Sequence, residues 1–240
     1  MYTLLIGLGA ALPLAWQVWR TRDERILTAA LVVGIATLVA GRLGYIAMHW
    51  NFFSANREQI VALTSPGYSE HLALLAGWGA ACLASRVLQL KAHALLLVSA
   101  ATLIGIGASV GCIAPGCVYG REVFWQDGTQ TLGWLLRVDW PDAFGVRNPR
   151  WPTQLLMVIW LCVDWVLVWV LHHRQGLKTA PLVWIWLLAF ALGDSAIQLL
   201  RADETLFMRN IRIEQYFDVI LFILSLYRLI HSYPPNRPQT

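Results

Sequence analysis

The sequence predicts an all-α, polytopic membrane protein, a bundle of seven transmembrane helices with one long outer (periplasmic) connector. Hydrophobic residues make up 58% of the 240-residue chain and charged residues only 13%. A soluble domain carries roughly 25% charged residues, so this chain lacks the charge to coat a water-facing surface. Mean hydropathy is +0.55. Thirteen Trp are present, a residue that favours the membrane–water interface. This composition excludes a cytosolic globular enzyme, a disordered tail and a nucleic-acid binder. The excess of 18 Lys+Arg over 14 Asp+Glu reads as loop charge that orients membrane helices.

About 20 apolar residues cross a hydrocarbon core of ~30 Å. The stretches that qualify, in order, are Tyr2–Trp19, Ile26–Trp50, His71–Leu90, His93–Gly111, Pro152–Leu171, Leu177–Leu200 and Ile213–Ile230. The first carries no Lys or Arg before Arg20, so it lacks the basic start of a signal peptide and reads as a retained helix. None alternates like a membrane barrel strand. The connector Val118–Trp151 mixes Gly, Pro, Trp and both charges and is too polar to cross. No fixed-period repeat is visible, so residues 1–240 read as a single membrane domain, with 118–151 as a connector within it.

Basic residues set the orientation. Arg20, Arg22, Arg25, Arg86, Lys91, Arg174, Lys178, Arg228 and Arg237 lie on one side, opposed only by Asp23 and Glu24. Arg57, Arg121, Arg137, Arg147, Arg150, Arg201, Arg209 and Arg212 lie on the other, spread over longer connectors rich in acids. The denser side is cytoplasmic, which places the C-terminus inside and the N-terminus outside.

Ionisable groups inside spans are costly, so each is a site candidate. By helical rise, Arg42 lies ~24 Å along span two and Asp194 ~25 Å along span six, both in the outer half. An ion pair between them is therefore allowed, with snorkelling of Arg42 to the interface as the alternative. Asp164, ~18 Å along span five, sits among Trp160, Trp165 and Trp169. A neutral acid or an indole N–H partner would satisfy it. His71 opens span three at the outer interface.

Where span four ends, Gly105, Gly107, Gly111, Gly116 and Gly120 with Pro115 surround Cys112 and Cys117. Gly107 and Gly111 form a small-xxx-small pair for close helix approach. Pro115 and Gly116 break the helix, and broken helices with freed N–H groups suit anions. Together with His71 and the run Arg147–Leu155, this suggests a cavity at the outer leaflet with cations for a phosphate. For Cys112 and Cys117, on the oxidising side, a disulfide is the preferred reading. A metal site with His71 is the other, and a C-x4-C pair with one His falls short of a four-ligand set. Cys82 and Cys162 lie within spans and read as packing.

Four segments occur in order: Gly41-Arg42-Leu43-Gly44-Tyr45, Gly67-Tyr68-Ser69-Glu70-His71, Gly111 through Gly120, and Arg150-Trp151-Pro152-Thr153-Gln154-Leu155. In these the chain resembles the prolipoprotein diacylglyceryl transferase family. The family's blocks read Gly-Arg-Leu-Gly-Tyr, Gly-x-Ser-Phe-His, Gly-Asn-Phe-x-Asn-Gly-Glu-x-x-Gly and Arg-His-Pro-Thr-Gln-Leu. The resemblance implies a seven-span enzyme of the bacterial cytoplasmic (inner) membrane. Its partners would be phosphatidylglycerol, or a related phospholipid, and a prolipoprotein whose lipobox thiol takes the diacylglyceryl group. His71 would be the functional His. Arg42, Tyr45, Arg150, Gln154 and Arg201, with Gly116, Tyr119 and Gly120 of the signature block, would bind phospholipid. No metal or cofactor is implied.

The chain also departs from the family. Ser109 and Asp194 stand where the family has Arg, Cys112 replaces an Asn, Cys117 replaces an acid, and Gln198 replaces another acid. Since cations at developing charge are usually a large catalytic term, a second reading is a non-catalytic lipid- or partner-binding protein on the same scaffold.

Overall fold

The computed structural model describes residues 12, 15–19, 22–61, 67–90, 94–124, 135–175 and 179–232. The chain divides into two compact units, Met1–Ile104 and Gly105–Thr240. It is mostly helical. By length and composition, Arg25–Met48, Thr153–Arg174 and Pro181–Gln198 can cross a membrane. Most of the expected first span, Tyr2–Trp19, lies outside the described residues, although residues 15–19 are helical.

The first unit is built on α1 (Arg25–Met48) and α3 (Glu70–Val87), with a short α2 (Trp50–Ala55) and a 3-10 turn, Arg57–Gln59, between them. The start of α1 is held by Asp23, whose carboxylate accepts from the Arg25 backbone N–H at 3.1 Å and from its guanidinium at 2.9 Å. The apolar run expected to continue to Trp50 breaks at His49, which leaves helical geometry at φ −115° and ψ 34°. Its ring lies 3.0 Å from the Tyr45 carbonyl and stacks on the Tyr45 ring. Ser69 caps α3, its hydroxyl accepting weakly from Leu72 N–H at 3.5 Å, so the helix begins one residue before His71.

Small residues let α1 and α3 approach closely. A Cβ added at Gly41 would lie 3.1 Å from Ala73 Cβ, and Gly77 faces Thr37. Away from that seam α1 exposes Leu31, Ile35, Leu38 and Val39. A helix apolar on its exposed face has lipid as its natural solvent.

The helix α4 (Ala94–Gly111) runs from the first unit into the second, whose body is α5 (Thr153–Gln175), α6 (Thr179–Gln198) and α7 (Ile213–Ser232). Met157, Leu161, Asp164 and Val168 form the buried stripe of α5, at the i, i+4, i+7, i+11 spacing of one helix face. Where α5 meets α6, Gly193 leaves room for the Trp160 indole, whose Nε1 donates to the Ala189 carbonyl at 3.0 Å. Leu182, Trp186 and Phe190 of α6 and Leu221 of α7 are buried within this unit. Between α6 and α7 the strands β1 (Phe207–Met208) and β2 (Ile211–Arg212) form an antiparallel hairpin.

The connector from α4 to α5 makes short β-bridges rather than a sheet: Gly120 with Arg201, Glu122 and Val138 with Arg150, and Pro141 with Arg147. Residues 125–134 of the expected connector lie outside the described residues.

Candidate functional site

In the first unit the residues singled out by sequence cluster at the end of α1 and the start of α3. Arg42 is 4% exposed. Its guanidinium donates to the carbonyls of Gln59, Ile60 and Gly67, the last at 3.1 Å. Two rings flank it, Phe53 at 5.3 Å and Tyr68 at 5.9 Å. A guanidinium ringed by carbonyls acts first as a clamp, fixing the backbone that leads to α3. Tyr45 stacks on His49 at 4.1 Å, and its ring fills the space beside Gly67, which adopts φ +126°. His71 is fully buried in the first turn of α3. Arg42 and Asp194, expected as an ion pair, belong to different units. Within its own unit Arg42 is held by carbonyl oxygens and Asp194 by an amide.

The second unit gathers the remaining candidates around the Gly-rich turn. Cys112 and Cys117 are joined by a disulfide. The turn between them reverses at Gly116, whose φ of +69° suits glycine. Two side chains from the first turn of α5 hold its exit. Thr153 Oγ1 donates to the Val118 carbonyl at 2.5 Å, and Gln154 Nε2 donates to the Cys117 carbonyl at 2.9 Å. Both side chains are buried, so these bonds are made where an unpaired polar group is costly. The Pro-Thr-Gln segment thus carries a structural task that its sequence alone does not reveal.

Beyond the turn, Gly120 bridges to Arg201, Arg121 N–H donates to the Leu200 carbonyl at 2.7 Å, and Ala202 N–H donates to the Tyr119 carbonyl at 2.9 Å. The signature block is therefore laced to the end of α6. Arg150 packs its guanidinium 5.1 Å from the Tyr119 ring centre. Its Nη2 lies 2.9 Å from both Asp142 Oδ2 and Glu122 Oε1. Asn148 Nδ2 donates to the same Glu122 oxygen at 2.8 Å. Arg201 makes a two-pronged bond to Asp203 at 2.9 and 2.7 Å, and Arg212 shares that aspartate at 3.3 Å.

These charges tune one another. Tyr119 is raised from the ordinary tyrosine value, first by burial and then by the negative charges of Asp142 and Asp203, with Arg150 opposing. Burial pushes Asp203 up, but hydrogen bonds and charge from Arg201, with the charge of Arg212, hold it below the usual carboxylate range. Two guanidiniums thus flank a single ionised carboxylate.

Deeper in α6 and α7, Gln198 Nε2 donates to Asp194 Oδ2 at 2.6 Å and to Asp218 Oδ2 at 2.9 Å, and all three residues are buried. Asp218 escaped the sequence reading although it lies within an apolar stretch, the signal that marked Asp164 and Asp194. Asp142, Glu122 and Asp203 were also missed, because connector acids carry no such signal. Asp164 is buried with neither oxygen hydrogen-bonded among the described residues. Of the two alternatives for it, a neutral acid or an indole partner, the second is not supplied by Trp160, whose Nε1 donates to Ala189.

Helices long and apolar enough to cross a membrane, with a glycine-rich turn that has guanidinium–carboxylate clusters beside it, describe a helical membrane protein. A family model described as Prolipoprotein diacylglyceryl transferase matches residues 1–231. The chain belongs to the prolipoprotein diacylglyceryl transferase family. It is similar to the phosphatidylglycerol–prolipoprotein diacylglyceryl transferase of Synechococcus elongatus, with 29% identity covering 98% of this chain and 84% of the relative. The enzyme of the same name from Thermosynechococcus vestitus is 27% identical, over 90% of this chain and 80% of that protein. That of Bacillus licheniformis is 23% identical, over 93% and 84%.

Proposed function

We propose that the chain transfers the diacylglyceryl group of phosphatidylglycerol to the cysteine thiol of a prolipoprotein at the bacterial inner membrane. It does so as one seven-span domain over residues 1–240, with connector 118–151 and the N-terminus outside and the C-terminus in the cytoplasm. In this reaction the thiol sulfur bonds to the terminal glyceryl carbon, the carbon–oxygen bond to phosphate breaks, and glycerol phosphate leaves. The thiol proton must go to a base. His71, buried at the start of α3, takes that role in this reading. The developing phosphate charge needs cations.

The observation that carries the reading is the lacing of the signature block to both α5 and α6. It sets Gly116, Tyr119 and Gly120 beside Gln154, Arg150 and Arg201. The acids there refine the roles. Arg150 faces two carboxylates, whereas Arg201 and Arg212 share Asp203. Both clusters put guanidiniums beside the signature block, and in this reading Arg150 and Arg201 are the phosphate partners. Arg42 and Tyr45 serve the site by shaping the approach to His71.

Membranes containing the chain, given labelled phosphatidylglycerol and a lipobox peptide, should release glycerol phosphate, and His71→Ala should abolish that release. Undiminished transfer in His71→Ala would remove His71 from the mechanism. Ser109 and Asp194, at places where the family carries Arg, favour the second reading of a lipid-binding protein without transfer. Purified wild-type chain that retains phosphatidylglycerol yet releases no glycerol phosphate would establish it.

A further inference from the structure

Apart from Arg212, the hairpin between α6 and α7 is unused by the reading above. Phe207 pairs with Arg212 and Met208 with Ile211. The turn residues Arg209 and Asn210 have φ of +52° and +63°, the geometry of a tight hairpin turn. Despite its size the hairpin is firmly tied. Ile213 N–H donates to the Leu206 carbonyl at 3.0 Å, Thr205 Oγ1 bonds Glu214 at 2.6 Å, and Arg212 is fixed to Asp203. Tyr216 Oη donates to the Met208 carbonyl at 3.1 Å. Tyr216 lies in the first turn of α7, so the hairpin lies back along the helix end.

This fixed element presents apolar side chains outward. Leu206 is 44% exposed, Phe207 61%, Met208 51% and Ile211 43%. Arg209 is exposed at the turn between them. Leu199, just past the end of α6, and Val219 of α7 are exposed as well. Helix α6 is long and apolar enough to cross a bilayer, so a segment lying beside its end sits where hydrocarbon gives way to headgroups. Apolar and aromatic side chains around a cation are the composition of that boundary, and a cation there favours anionic lipid.

We propose that hairpin 206–212 is a lipid-contact element. Leu206, Phe207, Met208 and Ile211 enter the headgroup–acyl boundary, and Arg209 meets the phosphates of anionic lipids. The occupant is the bilayer surface itself, not a protein partner.

The test uses the full chain in vesicles of phosphatidylcholine with or without phosphatidylglycerol. Met208→Cys, made with Cys82→Ser and Cys162→Ser, carries a fluorescent label. Nitroxide on lipid headgroups should quench it at least about twofold more than aqueous iodide does, as for a side chain at the interface. Labelled-headgroup phosphatidylglycerol should quench better than labelled phosphatidylcholine, and Arg209→Gln should erase that difference. Phe207→Ser with Ile211→Ser should shift quenching toward iodide. Free access of iodide with little lipid quenching in the parent would overturn the proposal. A lipid preference that survives Arg209→Gln would overturn the role of Arg209. No readout depends on group transfer, so these outcomes are separate from those that test the function.

Discussion

Gly116→Ala measures how rigidly the glycine-rich turn is seated against the connector. Two costs follow from the structure. At φ +69° an L side chain costs about 1–2 kcal/mol. The added Cβ would also overlap the Asp142 backbone carbonyl and approach the Pro141 oxygen at 2.7 Å. Backbone atoms cannot rotate aside, so residues 141–142 must move. Asp142 accepts from Phe144 N–H, Val146 N–H and Arg150 Nη2, each at 2.9 Å, and a shift strains all of these. Overpacking of this kind costs about 1–3 kcal/mol, for a total of about 2–5 kcal/mol. Gly145→Ala is the control, because Gly145 has φ +79° and open space around its Cβ. It should show the backbone cost alone, about 1–2 kcal/mol. Equilibrium unfolding in mixed micelles gives both values, and lipid transfer gives the functional counterpart. If the two variants lose stability equally, within about 0.5 kcal/mol, the seating of the turn on Asp142 is refuted.

Three further outcomes follow from other contacts. Gly193→Ala would drive a methyl into the Trp160 indole and break its bond to Ala189, costing about 2–4 kcal/mol. A Trp160→Phe background should recover much of that loss, and no recovery would refute the packing argument. Asp203 is held below the usual carboxylate range, so its stabilisation is complete above about pH 4 and fades as pH falls through its lower folded value. The stability gap between wild type and Asp203→Asn should therefore narrow on acidification; a gap constant to low pH would count against the Arg201–Asp203–Arg212 cluster. The bridge closes a short loop, Cys112 to Cys117, so Cys112→Ser with Cys117→Ser should cost about 2 kcal/mol by loop entropy. Thiol titration of the unreduced protein should find only Cys82 and Cys162.

The long helices were legible because each is an apolar run, and a bilayer leaves such a run few alternatives to a helix; the six-residue α2 carries no such signal. The break at His49 was not legible either, since it depends on ring contacts with Tyr45. Their place in apolar stretches marked Arg42 and Asp194 as candidates, and both are buried, but that place says nothing about partners. The carbonyls of Gln59, Ile60 and Gly67 reach Arg42 only because the chain loops back after α2. The acids around Arg150 and Arg201 were invisible for a similar reason. Glu122 and Asp142 are ordinary connector residues until the chain folds beside Arg150. Gln154 was chosen through a resemblance, and its contact shows why an amide suits the position: it has a carbonyl to hold across 37 residues of sequence.

Thr153 and Gln154 grip the carbonyls of Val118 and Cys117, which ties off the connector at its neck. Lengthening a segment whose ends are already joined is cheap, about 0.6 kcal/mol for each doubling. Only length added away from Glu122, Asp142 and Arg150 is of this kind, because those residues bind one another and Asp142 seats the glycine-rich turn.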